Sequence, residues 1–244
     1  MIGIENAEVR GFEAAIRGMR NPMNSWEKSD SYFDGKYCEK CEHRDSECNP
    51  EKPCFENGVL GGNDLELMKK LVKAGTDHRK FMRFITVSCD ITAPLYWWKE
   101  FDTYKVGTVA NSCSTMHTIC GKEFSITDFS REHLTTLDYQ HYDVLDTEEI
   151  ERIEFQTASL QILSLVVQTL NNYRKLYLET NDKKYWWQII QLLPSSYNQR
   201  RTVLLNYEVL LNIYHARKKH KLDEWRKFCE WVENLPCMEV FLNV

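Results

Sequence analysis

Glycine and proline are scarce, at 10 and 6 of 244 residues, which excludes a collagen-like repeat and a low-complexity linker protein. No apolar run approaches the roughly 20 residues that a membrane helix needs; LSLVV at 163–167 is typical of the longest. The opening MIGIENAEVRGFE carries charge where a secretory leader has an apolar core, so the chain reads as cytoplasmic and free of membrane. A surplus of positive charge is missing too. Thirty-one Lys+Arg are mixed with 36 Asp+Glu for a formal net charge of −5, so bulk nucleic-acid binding is not expected and an anion site must be a local concentration of donors. What is present is an apolar fraction of 43% with 12% aromatics, enough for one large core or two modest ones.

Periodicity orders the chain as an α+β protein. GFEAAIRGMRNP places Phe12, Ala15, Ile16 and Met19 on one helical face before Asn21-Pro22 ends it. NDLELMKKLVKAG predicts a second helix, with Asn63 or Asp64 as N-cap, Leu65, Met68, Leu71 and Val72 as its apolar stripe, and Gly75 at its end. FMRFITVSCDI alternates and is rich in β-formers, which predicts a strand. An irregular connection then runs to about residue 146. Helices are expected over 147–179, 182–193 and 196–219, followed by a short one through DEWRKFCEWVENL. The long helix would bury Ile150, Ile153, Leu160, Leu163, Val167 and Leu170. The pairs Trp97-Trp98 and Trp186-Trp187 read first as core or subunit-interface residues.

Nine cysteines fall into two groups. Cys89, Cys113, Cys120, Cys229 and Cys237 stand singly in structured segments and read as small core residues. Cys38, Cys41, Cys48 and Cys54 are packed into CEKCEHRDSECNPEKPC, within a polar insert spanning 31–63. A C-x2-C pair joined by a second, wider-spaced pair suits a closed four-thiolate site, with His43 as a possible substitute ligand. Zinc fits that donor set, and so does an iron–sulfur cluster. A closed four-cysteine site is structural, stapling a segment too polar to fold alone. The expectation is one domain over 1–244 with this module inserted at 31–63.

KEFDTYKVGTVANSCSTMH at 99–117 opens with a lysine pair and continues into Asn111 and Ser114. Lys99, Lys105 and the amides around Gly107 suit a phosphate, and Asn111 and Ser114 suit a base or ribose. Upstream lie His78, the predicted strand and Pro94. Downstream, LPSSYNQRRTVLLNYEVLLNIYHAR carries Pro194, Arg200, Asn206, Leu210, Asn212 and Arg217. This order resembles the flavin-dependent thymidylate synthase family, whose signature is R-H-R-x-x-S-x-N-x-x-S-x-R-Y. His78 and Pro94 match that pattern, and Lys99-Glu100 stand where Arg-Gln is usual. Thr103, Tyr104 and Lys105 occupy the R-H-R, with only Lys105 keeping the charge. Thr108 replaces the first serine, Asn111 and Ser114 match with one residue inserted, and Met116-His117 stand for the closing Arg-Tyr. Arg200, Asn206, Leu210, Asn212 and Arg217 match without gaps.

The resemblance implies a small antiparallel sheet with a helical C-terminal half, a homotetramer, and a flavoenzyme that transfers and reduces a one-carbon unit on a pyrimidine nucleotide. It implies FAD held by His78, Lys105, Asn206 and Asn212, and nucleotide held by Lys99, Asn111, Ser114, Arg200 and Arg217, with NADPH and methylenetetrahydrofolate as co-substrates. No catalytic residue is assigned. Loss of R-H-R removes charge-assisted contacts to flavin, so the substrate or chemistry is expected to be altered; the alternative is a binding protein that has kept the fold and lost the chemistry.

Overall fold

A computed structural model describes residues 2–37, 54–136, 139–145, 150–156 and 158–243. It divides into two compact units. The sheet unit comprises Ile2–Ala93, Trp97–Ser112 and Arg200–Val244; the helical unit comprises Pro94–Tyr96 and Cys113–Gln199.

In the sheet unit β1 (Gly3–Arg10) leads into α1 (Phe12–Arg20); β2 (Tyr32–Tyr37), β3 (Cys54–Val59), α2 (Gly62–Lys73) and β4 (Thr86–Pro94) follow. Then come α3 (Leu95–Phe101) and β5 (Val109–Ser112). Among the described residues six strands form one sheet in the order β2-β3-β1-β4-β8-β5, where β8 is Asn198–Asn206. Most resolved pairings are antiparallel, but β1 runs parallel to β3 through Glu8↔Cys54 and Val9↔Phe55. Helices α6 (Tyr207–Arg217), α7 (Asp223–Glu233) and α8 (Met238–Leu242) complete the unit.

Alternation gives the sheet one apolar face, with Ala7, Val9, Val87, Cys89, Ile91, Val203 and Leu205 buried. The core continues into a run of rings in which Trp97 lies 4.7 Å from Trp225, 5.1 Å from Phe101 and 5.7 Å from Phe228. Trp97 and Trp98 are fully buried, so this pair is core. The predicted stripe of α1 is buried as expected: Phe12, Ala15, Ile16 and Met19.

The helical unit contains the hairpin β6 (Tyr139–Leu145) and β7 (Ile150–Gln156), then α4 (Ser159–Thr180) and α5 (Lys183–Leu192). Leu163, Val167 and Leu170 of α4 pack with Ile189 of α5 and with Ile119, Phe124 and Phe129.

Several expectations change. The expected long helix begins at Ser159; IERIEFQ at 150–156 is instead a strand paired with YQHYDVL, from Tyr139↔Gln156 to Leu145↔Ile150. Ile150 and Ile153 are thus hairpin residues, because a partner strand completes their backbone hydrogen bonds. The helix expected over 196–219 is β8 followed by α6. Thr202-Val203 is β-branched and lies between β4 and β5, where the ladder outweighs helical propensity. The strand expected at 81–91 starts at Thr86, after a 3-10 turn over Lys80–Arg83.

Asp64 is not the N-cap of α2. Gly61 holds that position, and the Asp30 carboxylate receives the backbone N–H groups of Asn63 (3.0 Å) and Asp64 (3.2 Å) from a distant loop. Asp64 is buried instead. It accepts from Arg20 Nε at 2.6 Å and from Ser29, Ser31 and the backbone of residues 30–31; burial pushes its pKa up, but the side-chain bonds from Ser31, Ser29 and Arg20 and the charge of Arg20 lower it overall. Ala74, not Gly75, is the C-cap of α2, and Gly75 follows it in the left-handed region at φ +98°, where the chain leaves the helix. Cys89 and Cys229 are buried as expected, whereas Cys113 is exposed because it follows edge strand β5.

Candidate functional site

The segment 99–112 folds against α6 and α7 within the sheet unit. Arg217, last residue of α6, donates from Nη1 to Glu100 Oε2 at 2.7 Å and from Nε to the Tyr104 hydroxyl at 2.8 Å. Its guanidinium lies 4.8 Å from the Trp225 ring centre, a cation–π contact. Glu100 Oε2 also accepts from Trp225 Nε1 at 3.0 Å, with His220 Nε2 3.6 Å away. One carboxylate oxygen therefore ties α3 to α6 and α7, and Arg217 in turn holds Tyr104 of the loop between α3 and β5.

Asn206 fixes the other end of that loop. As N-cap of α6 it accepts the Val209 N–H at 3.0 Å, and its Nδ2 faces the Gly107 carbonyl at 3.5 Å. Gly107 sits at φ +77°, and a β-carbon there would lie 2.8 Å from Asn206 Nδ2. The chain between these anchors projects outward: Lys105 is exposed, and Val106 is 88% exposed. Lys99 is exposed on α3. Neither lysine has an acidic partner among the described residues. Asn111 is exposed on β5 opposite Thr202.

The turn carrying His78 docks further along α6. His78 is exposed and donates its N–H to Gly75 O at 3.0 Å. Its neighbour Arg79 pairs with Glu208 Oε1 at 3.2 Å and donates to Asn212 Oδ1 at 2.9 Å. Glu208 is buried, and its Oε2 has no hydrogen-bond partner among the described residues, Arg83 Nε standing 3.7 Å off. One helical turn on, burial and then the charges of Lys218 and Arg79 lower the pKa of His215.

Arg200 lies on the polar face of the sheet. It pairs with Asp90 Oδ2 at 2.8 Å and Glu5 Oε2 at 3.1 Å. Asp90 also accepts from Thr202 at 2.6 Å and Asn6 at 2.9 Å, and the bonds from Thr202, Arg200 and Asn6 hold its pKa at about 2. Arg201 pairs with Asp102 at 2.7 Å, stacked 4.2 Å above Trp98. Ser114 belongs to the helical unit, where its hydroxyl accepts the His117 N–H at 3.0 Å.

The fold thus brings Lys105, Asn206 and Arg217 to one loop, and His78 and Asn212 to one turn. Arg200, Asn111 and Ser114 lie elsewhere. Asn206 and Asn212 do not share a helix as expected, since the first ends β8 and caps α6. Of the expected metal ligands, Cys38, Cys41 and Cys48 lie outside the described residues, and Cys54 opens β3. Arg79, Glu208 and Asp90 engage these polar groups although no sequence motif marks them, and Glu100, marked only as standing at the Gln position of the Arg-Gln pair, holds Arg217.

The sequence matches no protein-family model and no curated protein. Solved structures do share its fold. Thymidylate synthase X from Helicobacter pylori, solved with FAD and dUMP, is 16% identical over 99% of this chain and 97% of its own, at a TM-score of 0.60. A UMP/dUMP methylase, PolB from Streptomyces cacaoi, bound with 5-Br dUMP, is 13% identical over 100% of this chain and 95% of its own, at a TM-score of 0.57. The chain has the fold of the flavin-dependent thymidylate synthases, with mixed helix and sheet and a largely helical C-terminal half.

Proposed function

We propose that a chain with this fold is a flavoprotein that modifies a pyrimidine nucleotide. The observation that carries the reading is the loop 104–108. Arg217 and Asn206 clamp its ends, while Lys105 projects outward with no acidic partner among the described residues. Support comes from solved neighbours of nearly equal length that hold FAD with dUMP, or 5-Br dUMP.

The donor chemistry fits a dinucleotide. Two ammonium groups, Lys99 and Lys105, suit phosphates, and Gly107, where a β-carbon would lie 2.8 Å from Asn206 Nδ2, lets the loop that carries Lys105 pack against the start of α6. Lys105 would hold the flavin phosphates. Asn206 and Asn212 would orient polar groups from α6, with His78 at the rim. Lys99, Asn111, Arg200 and Arg217 of the sheet unit would be the residues that engage the nucleotide, and Ser114 is a further polar group offered by the helical unit. When bound, the flavin supplies hydride transfer. Thr103 and Tyr104 at the R-H-R positions offer neutral bonds in place of charged ones, which favours altered substrate or chemistry relative to a thymidylate synthase. NADPH and methylenetetrahydrofolate complete the reaction, a homotetramer its assembly, and a zinc or iron–sulfur site at Cys38, Cys41, Cys48 and Cys54 its insert.

A fold kept for binding alone is the second reading, favoured by the internal carboxylates that engage Arg200 and Arg217. The two separate on an absorption spectrum of the purified full chain followed by titration with FAD. Bands at about 375 and about 450 nm, the oxidised-flavin signature, with dUMP perturbing them, support the flavoenzyme. A colourless protein that ignores added FAD overturns it.

A further inference from the structure

A pocket of about 510 Å³ opens in the helical unit, between the segment Met116–Cys120 and the turn joining α4 to α5. Such a volume suits a small organic ligand. Tyr177 and Trp186 are among its lining residues, and Lys183 and His117 are the basic ones among the described residues.

The wall is fixed without a ligand. Gln199 Nε2 donates to Cys113 O at 2.8 Å, and Arg174 Nε donates to Cys120 O at 3.0 Å. Asn171 bonds both the N–H and the carbonyl of Phe124, at 2.8 and 2.9 Å. The segment is therefore pinned along its length to α4 and to the start of β8, and Ile119 is buried in the core beneath.

The charge balance has one sign. Among the described residues, none that lines the pocket is acidic. The nearest carboxylate in sequence, Asp182, caps α5 through the Lys184 N–H at 3.0 Å and pairs with Lys184 Nζ at 3.0 Å. Lys183 has no acidic partner among the described residues; its Nζ stands 5.8 Å from the Trp186 ring centre. A ring lying on Trp186 would place an anionic substituent toward that ammonium.

We propose that this pocket binds a planar aromatic ring bearing one anionic group, a phosphate ester or a carboxylate. The pocket is lined by residues of the helical unit and by none of the loop 104–108, and its occupation does not require flavin. A colourless protein can still fill it, and a flavoprotein can leave it empty.

The test is calorimetric titration of the full chain with 2-naphthyl phosphate, 2-naphthoate and the uncharged 2-naphthamide. Saturable one-to-one binding of an anion is expected, at least fivefold tighter than the amide. The tighter of the two anions identifies the source as phosphate or carboxylate. Lys183→Gln and His117→Gln change exposed side chains, so the thermal midpoint should hold. Lys183→Gln should weaken the anion at least fivefold and leave the amide unchanged. No saturable binding, equal affinity for amide and anions, or an anion affinity untouched by Lys183→Gln would each overturn the proposal.

Discussion

Arg217 and Glu100 meet at 2.7 Å, and through that contact the end of α6 holds the loop that carries Lys105. Because the same guanidinium bonds Tyr104 and covers Trp225, Arg217 acts on the loop from beneath. Removing it strands a half-buried carboxylate, so Arg217→Ala should cost about 2 kcal/mol. Arg217→Lys should recover little, because an ammonium lacks the fork that reaches Glu100 and Tyr104 together. Thermal unfolding checks this; an unchanged midpoint for Arg217→Ala would dismiss the clamp.

Gly107→Ala should uncouple the loop from α6. The positive φ costs about 1–2 kcal/mol for a residue with a β-carbon, and the new atom meets Asn206 Nδ2. Asn206→Ala should lose about 1 kcal/mol of capping. Chemical denaturation of both variants and the double mutant should show less than additive losses; full additivity would mean that the two residues act independently.

Lys105→Ala should separate binding from folding. Its side chain is exposed and has no acidic partner among the described residues, so the thermal midpoint should hold. Losing one charge-assisted bond of about 1.4 kcal/mol should weaken FAD about tenfold. An unaltered FAD titration would remove Lys105 from the cofactor set.

Asp90 should give the fold an acid-sensitive limb. Its folded pKa of about 2 lies below the usual carboxylate value, so its stabilisation is complete above about pH 4. It is lost as pH falls through about 2. Asp90→Asn should therefore be less stable than the parent at neutral pH and converge with it toward pH 2. Unfolding free energies measured across that window would reject the assignment if the difference stayed constant.

For the insert, Cys41→Ser should lower bound metal and thermal stability together. Elemental mass spectrometry of parent and variant decides; equal metal content would rule out the four-cysteine site.

Legibility in the sequence followed how local each feature is. Phe12, Ala15, Ile16 and Met19 reveal their buried face because a helix brings them together by its own period. The helix at 182–193 is equally local, with Asp182 as its cap. IERIEFQ and NQRRTVLLN read as helix from sequence because their charged and apolar residues also fit a 3.6-residue repeat, yet both are strands. Their strand state depends on neighbours far along the chain.

The same holds for the site. The sequence by itself determined which residues can carry charge or donate bonds: the lysines at 99 and 105, the asparagines at 206 and 212, the arginines at 200 and 217. It also determined that no segment of the described helices is long and apolar enough to cross a membrane. Only the tertiary structure decided which of these groups are engaged internally. Arg200 meets Asp90, which lies 110 positions away, and Arg217 meets Glu100, 117 positions away. Lys105 meets no carboxylate among the described residues. Helical period is a property of a few neighbouring residues, whereas the partner of a charge is set by which strands and helices are packed side by side, and no local pattern encodes that.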